Sequence, residues 1–205
     1  MTEQLSRRAL NKKKCRARIL RESRRLFSSK SYENTTIEDV ADRAEVSKAT
    51  LYNYFPSKES LLIGIAEEEL GQIRDLVAND LAHEKNAVEK IRRVLEVFIL
   101  DAIPYISLSR KITYLNSCGG SPLYATRVNM IRIFEDLVRE GQAQGSLRND
   151  IETSDIVDII MGVYLMSQFE WSNIDQYTPE FCRKKLNRIL DEVLELQIAQ
   201  PEHRP

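Results

Sequence analysis

The chain has 205 residues, 42% of them hydrophobic, with seven glycines and six prolines, and its formal net charge is −1. This length and composition allow one hydrophobic core, or a small domain joined to a larger one, and favour helices. The N-terminus is basic without an apolar stretch behind it and no window is apolar enough to span a membrane, so we expect a cytoplasmic protein. Three cysteines at unrelated spacings, Cys15, Cys118 and Cys182, argue against a disulfide framework and a zinc site, while redox sensing by Cys118 stays open.

Charge is unevenly distributed along the chain. Residues 1–60 contain 14 Lys and Arg against 8 Asp and Glu, whereas the remaining residues contain 16 against 23. This asymmetry indicates that the N-terminal part binds nucleic acid. Ten of the cations lie in residues 7–25. They form either a solvated tail and helix face, or an arm that follows the phosphates or enters a minor groove.

The N-terminal third predicts three short helices. Residues 1–12 are expected to be disordered, and the first helix is predicted from about Lys13 to Ser29. A second helix, at about 37–44, begins at Thr35 or Thr36, each followed three residues later by an acid that can complete a capping box. A third, at about 48–55, opens on Ser47 as its N-cap and turns Leu51 and Phe55 inward. Its outer face carries Lys48, Ala49, Thr50, Tyr52, Asn53 and Tyr54, with too many aromatic and amide groups for a merely solvated surface.

The rest of the chain also predicts helices and no strand, which makes the fold class all-α with about nine helices. A fourth helix is predicted from Lys58, capped by Ser57, to about Leu81, with a domain boundary inside it. Five more helices are predicted. Four of them lie at about 87–103, 105–117, 154–172 and 179–198, and the other begins at 121 and ends between 141 and 145. The helix at 87–103 has an apolar stripe too broad for a surface helix, so we expect it at the centre of the second domain.

The stretch from Ile19 to Leu62 resembles the DNA-binding domain of the tetracycline-repressor (TetR) family of transcriptional regulators. The similarity rests on Thr-Thr-Ile-Glu-Asp-Val-Ala at 35–41, Val-Ser-Lys-Ala-Thr-Leu-Tyr-Asn-Tyr-Phe at 46–55 and Pro-Ser-Lys-Glu at 56–59. Residues 140–148 are similar to the family's link between its seventh and eighth helices. The resemblance implies a helix-turn-helix DNA-binding domain at 1–58 and a helical effector-binding and dimerisation domain at 59–205. Ser31 and Glu45 stand where the family usually has glycine, so we expect left-handed backbone at both positions.

The function that this resemblance implies is a ligand-responsive repressor, which binds a palindromic DNA operator as a homodimer and is released by an unknown small molecule. A transcriptional activator, and a helical protein that binds DNA only to localise a partner, stay open as alternatives. For Tyr52 and Tyr54, packing against the first helix is the alternative to DNA contact. The candidate DNA-contacting residues are Thr36, Ser47, Lys48, Ala49, Thr50, Tyr52, Asn53, Tyr54 and Lys58.

The second domain offers candidates for a pocket and an interface. The apolar faces of the last two helices pair either within one chain or with a second chain, and the resemblance favours the second arrangement. No cluster of cations indicates an anionic effector, so a mildly apolar or aromatic compound is favoured, although the same side chains can be plain core. The candidate pocket residues are Phe98, Tyr114, Cys118, Met130, Phe134, Met161, Tyr164 and Gln168. The candidate interface residues are Ile156, Ile160, Val163, Leu186, Ile189 and Val193.

Catalytic and cofactor sites are not indicated. His83 and His203 have no partners at the spacing of a metal site or a catalytic triad. The Gly119-Gly120-Ser121 stretch lacks the lysine and the preceding strand of a phosphate-binding loop. We therefore expect a protein that is not an enzyme and needs no cofactor or metal.

Overall fold

The computed structural model describes residues 7–173 and 177–195, with only the backbone described at 193–195. These residues form nine α-helices and no strand, in agreement with the predicted fold class. A π-helical turn, Leu76–Asp80, follows the fourth helix, and 3-10 turns lie at Ile103–Tyr105 and Trp171–Asn173. The helices are α1 (Arg7–Ser29), α2 (Ile37–Arg43), α3 (Lys48–Tyr54), α4 (Lys58–Asp75), α5 (Ala87–Ala102), α6 (Ile106–Asn116), α7 (Tyr124–Gln144), α8 (Thr153–Phe169) and α9 (Pro179–Glu195).

Four helix ends differ from the predicted ones, and one of them is the end of the eighth helix, which lies at Phe169 instead of about Ser172 and is followed by a 3-10 turn. Residues 7–12, expected to be disordered, belong to α1, because they contain no glycine or proline and are mostly good helix formers. The fourth helix loses its α-helical hydrogen bonding at Leu76 instead of continuing to Leu81. The seventh begins at Tyr124, since the Ser121 hydroxyl accepts the amide of Leu123 at 3.2 Å and forms a separate turn. Residues 1–6, and the predicted extension of the last helix past residue 195, lie outside the described residues.

The predicted caps fix the starts of α2 and α3. Thr36 and Asp39 form a capping box, in which the Asp39 amide donates to Thr36 Oγ1 at 3.0 Å and the Thr36 amide to Asp39 Oδ2 at 2.9 Å. The hydrogen bond from the Thr36 amide, with a second from Lys30, lowers the pKa of Asp39 to about 2. At the start of α3, the Thr50 amide donates to Ser47 Oγ at 3.1 Å. Both helices have only seven residues, so these caps satisfy a large share of their free amides.

Left-handed backbone occurs at the two predicted positions. Ser31 has φ 71° and Glu45 has φ 52°, and no other described residue except glycine has a positive φ. Ser31 lies in the turn after α1, and Glu45 lies in the turn that joins α2 to α3. Both side chains therefore hold a conformation that glycine adopts at lower cost.

One hydrophobic cluster joins α1, α2 and α3 to the first part of α4. Gly64 allows α4 to approach α1, because a Cβ atom at this position would lie 2.8 Å from the Phe55 ring and 2.9 Å from Leu20. Leu108 of α6 and Leu123 also belong to this cluster, and α6 packs against α1. Its fully buried members include Ile19, Leu20, Val40, Leu51, Leu61, Leu62 and Ile65.

A second hydrophobic cluster lies among α5, α7, α8 and α9. The central helix is α5, as predicted, and it packs against the other three. Leu70 and Ile73 of α4 belong to this cluster, whereas Leu61 and Ile65 belong to the first. A tilt of α4 therefore acts on both clusters. Among the described residues, no helix is both long and apolar enough to cross a membrane.

Most of the predicted interface side chains belong to the core of the single chain. Four of them are at most 8% exposed, and Ile189 is half-buried against the second cluster. The periodicity of α8 and α9 identified apolar positions correctly, but these positions are buried within the same chain, where α5 and α7 pack against α8 and α5 packs against α9. The Val193 side chain lies outside the described residues. The four buried residues are Ile156, Ile160, Val163 and Leu186.

Candidate DNA-binding surface and ligand pocket

The outer face of α3 lies on the surface, as predicted. Leu51 is fully buried and Phe55 is 3% exposed, so these two side chains hold the helix against the first cluster. Tyr52 is 47% exposed, and the exposed Asn53 side chain makes no hydrogen bond within the described part of the chain. The Thr50 and Ser47 hydroxyls share a hydrogen bond of 2.8 Å at the start of the helix. A rigid inner face therefore presents polar and aromatic groups outward.

Lys48 is exposed at the start of α3 but has a partner. Its ammonium forms an ion pair with Glu38 of α2. The hydrogen bond between them raises the pKa of Lys48 and lowers that of Glu38. Lys48 can therefore neutralise a phosphate only by sharing or leaving Glu38.

Tyr54 and Lys58 are less free than the sequence predicted. Tyr54 is half-buried against the first cluster, and its hydroxyl lies beside the Cys15 thiol, so it packs against α1. Burial, together with the contact to Cys15, raises the pKa of Tyr54. Lys58 donates to the Glu33 carbonyl at 3.2 Å, and its ammonium lies 4.4 Å from the centroid of the Tyr32 ring. Both side chains help to hold the loop and helices that surround α3.

Basic side chains flank the helix-turn-helix on α1. The buried carboxylate of Glu22 forms three ion pairs. Its oxygens lie 3.0 Å from the guanidinium of Arg21, 3.2 Å from that of Arg25 and 3.5 Å from that of Arg43 of α2. One acid thus positions three guanidinium groups between α1 and α2. The N-terminal turns of α1 carry further exposed cations, namely Arg7, Arg8, Lys12, Lys13 and Lys14.

The predicted pocket is only partly assembled. Phe98 packs against Phe134 and Tyr164, with ring centroids 6.3 Å and 5.9 Å apart. Tyr114 and Cys118 do not join them, because Tyr114 is 65% exposed and Cys118 is exposed beyond the end of α6. The inward side of α6 instead carries Leu108, Ile112, Thr113 and Asn116. The remaining candidates, Met130, Met161 and Gln168, are buried.

A cleft lies beside Phe98 and Tyr164, between α4, α5, α6 and α8, with room for about one water molecule, roughly 20 Å³. It is lined by two carboxylates that were not predicted, Glu69 and Asp101. The sequence signal that could have identified Glu69 is its position directly before a core leucine, Leu70. Within the described residues, no group of three His, Cys, Asp or Glu side chains is placed to hold a metal ion.

Comparisons with known proteins agree with this arrangement. Residues 19–65 match the family described as bacterial regulatory proteins, tetR family. The chain is 26% identical over 154 residues to the HTH-type transcriptional repressor DhaR of Mycobacterium sp. (strain GP1), which covers 71% of this chain and 76% of DhaR.

Two solved structures share the fold over nearly their whole length. A TetR-family transcriptional regulator from Syntrophomonas wolfei is 23% identical, with a TM-score of 0.72 over 90% of this chain and 96% of the other. FadR from Thermus thermophilus, a repressor in complex with lauroyl-CoA, is 25% identical, with a TM-score of 0.65 over 93% of this chain and 98% of the other. The likeness therefore extends beyond the helix-turn-helix to the helical second part.

Proposed function

Because the chain belongs to the tetR family of bacterial regulatory proteins and is a DNA-binding transcriptional regulator, we propose that it is a cytoplasmic homodimeric repressor released by a small molecule. The observation that carries this proposal is the exposed face of α3, which is held by two buried side chains and two capped helix starts. Such a helix can enter a major groove without rearrangement of the core.

The polar groups of this face divide by position into two roles. Thr36, Ser47 and Lys48 lie at helix starts, where amides and cations suit phosphate contact. Ala49, Thr50, Tyr52 and Asn53 lie along α3, where they reach base edges or thymine methyl groups. Tyr54 and Lys58, at the far end, hold the reading helix in place and contact the phosphate backbone.

A homodimer is proposed because one short reading helix specifies too few base pairs, each mismatch costing only about 1–3 kcal/mol. The face of α8 that is not covered by the chain itself carries Ile159, Met166 and Phe169, which are 39%, 49% and 39% exposed. Their spacing places them on one side of α8, together with Gly162, where no side chain blocks a close approach. This stripe is the interface that we propose, and a near-palindromic operator would mirror its two-fold symmetry.

Release by a small molecule is supported by the position of α4 between the two clusters. A ligand that binds beside Phe98 and Tyr164 touches α4, whose first half packs with the helix-turn-helix in the first cluster. A ligand with different affinities for two tilts of α4 would shift the population between DNA-binding and released states. The complex of FadR with lauroyl-CoA supports a small-molecule effector for this fold.

The test is footprinting of the DNA upstream of the protein's own gene, followed by titration of the protected duplex at several salt concentrations. With about 6–10 phosphate contacts, affinity should fall by several orders of magnitude over a fourfold increase in salt. A variant in which Arg7, Arg8, Lys12 and Lys13 are changed to Ala should show a shallower slope. Absence of a protected site, or affinity that is insensitive to salt, would contradict the proposal.

A further inference from the structure

The half-buried carboxylate of Glu69 already holds a cation from α1, the first helix of the DNA-binding part. Arg24 of α1 places Nη2 3.2 Å from Glu69 Oε1, and its guanidinium carbon lies 5.6 Å from the centroid of the Tyr105 ring. The Arg24 side chain is only 16% exposed, yet Nη2 forms no aligned hydrogen bond. The charge of Glu69 and the face of the Tyr105 ring therefore hold this guanidinium, while its buried Nη2 group lacks a well-formed hydrogen bond.

Negative charge exceeds positive charge around Glu69. Asp101 of α5 lines the same cleft and has no ion pair within the described part of the chain, and Glu68 precedes Glu69 on α4. Removal from water raises the pKa of Glu69 to about 7, with Asp101 and Glu68 acting in the same direction and Arg24 opposing them. One guanidinium thus leaves this group of three carboxylates incompletely neutralised.

The opposite side of the cleft is aromatic and polar. The Phe98 and Tyr164 rings line it, and the Thr113 and Ser109 hydroxyls lie beside the Tyr164 hydroxyl. Thr113 is 3% exposed, and its hydroxyl is buried without a well-formed hydrogen bond. Aromatic rings next to the carboxylate of Asp101, which is unpaired within the described residues, and the incompletely neutralised carboxylate of Glu69 are a combination that binds organic cations.

From this arrangement we infer that the cleft recognises an organic cation with an aromatic or apolar body, which competes with Arg24 for Glu69 and thereby breaks the ion pair between α1 and the second half of α4. The inference rests on the proposed function and specifies the effector class. The cleft holds about one water molecule at present, so the ligand enters by moving Arg24 and the half-buried Phe98 ring. Because Arg24 lies on α1, which packs against the helix-turn-helix, occupation of the cleft removes an ion pair between the DNA-binding part and α4.

The test uses three probes that share one body and differ in charge: 4-phenylbutyltrimethylammonium, 4-phenylbutanol and 4-phenylbutyrate. Calorimetric titration of the full chain should show the ammonium binding at least about tenfold more tightly than the alcohol, with the carboxylate weakest. The ammonium carries a fixed charge, so its affinity should weaken as the pH falls through about 7 and Glu69 becomes neutral. Equal affinity for alcohol and ammonium, or no ammonium binding at millimolar concentration, would overturn the inference.

Variants separate recognition from folding. Glu69→Gln should weaken ammonium binding about tenfold and leave the alcohol unchanged, and the exposed Asp101→Asn should act in the same direction if Glu69→Gln does not fold. Arg24→Met should strengthen ammonium binding, because it removes the competitor and keeps an apolar stem. Glu67→Gln is the matched control, since Glu67 pairs with Arg16 outside the cleft and should not affect binding. Weaker ammonium binding by a folded Arg24→Met protein would contradict the competition.

DNA release is measured separately, by fluorescence anisotropy of the footprinted duplex. Ammonium binding with the expected charge preference but no release would support the inference about the cleft and contradict the proposed ligand response. Release by the alcohol or the carboxylate as readily as by the ammonium would support a ligand-responsive repressor and overturn the cationic class.

Discussion

At the scale of single residues, two polar side chains of α3, Lys48 and Asn53, have different surroundings. The Lys48 ammonium is paired with Glu38, whereas the side-chain carboxamide of Asn53 has no hydrogen-bond partner within the described residues. A charge at the helix start acts on any phosphate, but a free carboxamide in the groove can donate to and accept from one adenine edge. The two residues should therefore contribute differently to specificity.

We expect Asn53→Ala to cost about 1–3 kcal/mol of binding free energy on the footprinted operator and much less on random duplex. Lys48→Ala should weaken binding to both DNAs and lower the salt slope by about one unit. Parallel titrations of the two duplexes at fixed salt measure the difference. Equal losses on both DNAs for Asn53→Ala would assign this side chain to the phosphate backbone and leave Thr50 and Tyr52 as the base-contacting residues.

The left-handed backbone at Glu45 has a cost that glycine would remove. The exposed Glu45 side chain contributes only a 3.9 Å ion pair with Arg18, which is worth little at the surface. Glu45→Gly should therefore raise the free energy of unfolding by about 1 kcal/mol. Asp42→Gly, at an exposed right-handed position in α2, should lower it by about 1 kcal/mol. Urea unfolding of both variants checks the sign, and destabilisation by Glu45→Gly would refute the assignment of strain.

At the scale of elements, the short helix α2 depends on its capping box. The pKa of Asp39 is lowered to about 2 because the carboxylate accepts the Thr36 amide and pairs with Lys30. A carboxylate with a lowered folded-state pKa stabilises the fold above its unfolded pKa, near 4, and loses this contribution as the pH falls toward about 2.

We expect Asp39→Asn to be less stable than the unmodified protein at pH 6, with a difference that shrinks by pH 3. Urea midpoints of the two proteins at both pH values provide the measurement. Asp42→Asn, on the same helix but outside the capping box, is the control and should show no such convergence. A difference that is constant with pH would mean that the Asp39 charge does not stabilise the cap.

The helix α6 couples the two parts of the chain. Leu108 and Ile112 pack into the first hydrophobic cluster, and the Lys111 ammonium lies 2.6 Å from Glu33 in the loop after α1. On the same helix, Ser109 donates to Gln168 of α8 at 2.6 Å. A movement among the later helices can therefore reach the helix-turn-helix through α6 as well as through α4.

At the scale of the whole molecule, the uncovered stripe on α8 should determine the oligomeric state. Ile159→Glu combined with Met166→Glu places two charges in the proposed interface, where they would be costly to bury without partners. We expect light scattering to give twice the chain mass for the unmodified protein and the single-chain mass for this variant. Ala143→Glu, at an exposed position of α7, should remain dimeric. An unmodified protein that is monomeric at micromolar concentration would contradict the interface.

The local order of the chain was determined by the sequence alone. The positions of nine helices and the caps at Thr36, Ser47 and Ser57 follow from contacts between residues a few positions apart, whereas the left-handed backbone at Ser31 and Glu45 is what the resemblance to the TetR family implies. Such contacts leave a periodic signal that needs no knowledge of the fold.

Only the tertiary structure decided which apolar faces cover one another and which charges meet across helices. Periodicity identified Ile156 and Ile160 as apolar but could not determine that they are buried within one chain, where α5 and α7 pack against α8. The meeting of Arg24 with Glu69 joins residues 45 positions apart in the sequence, and no local pattern encodes that distance. Helix packing brings these groups together, because burial depends on how whole helices cross and not on the propensity of any single segment.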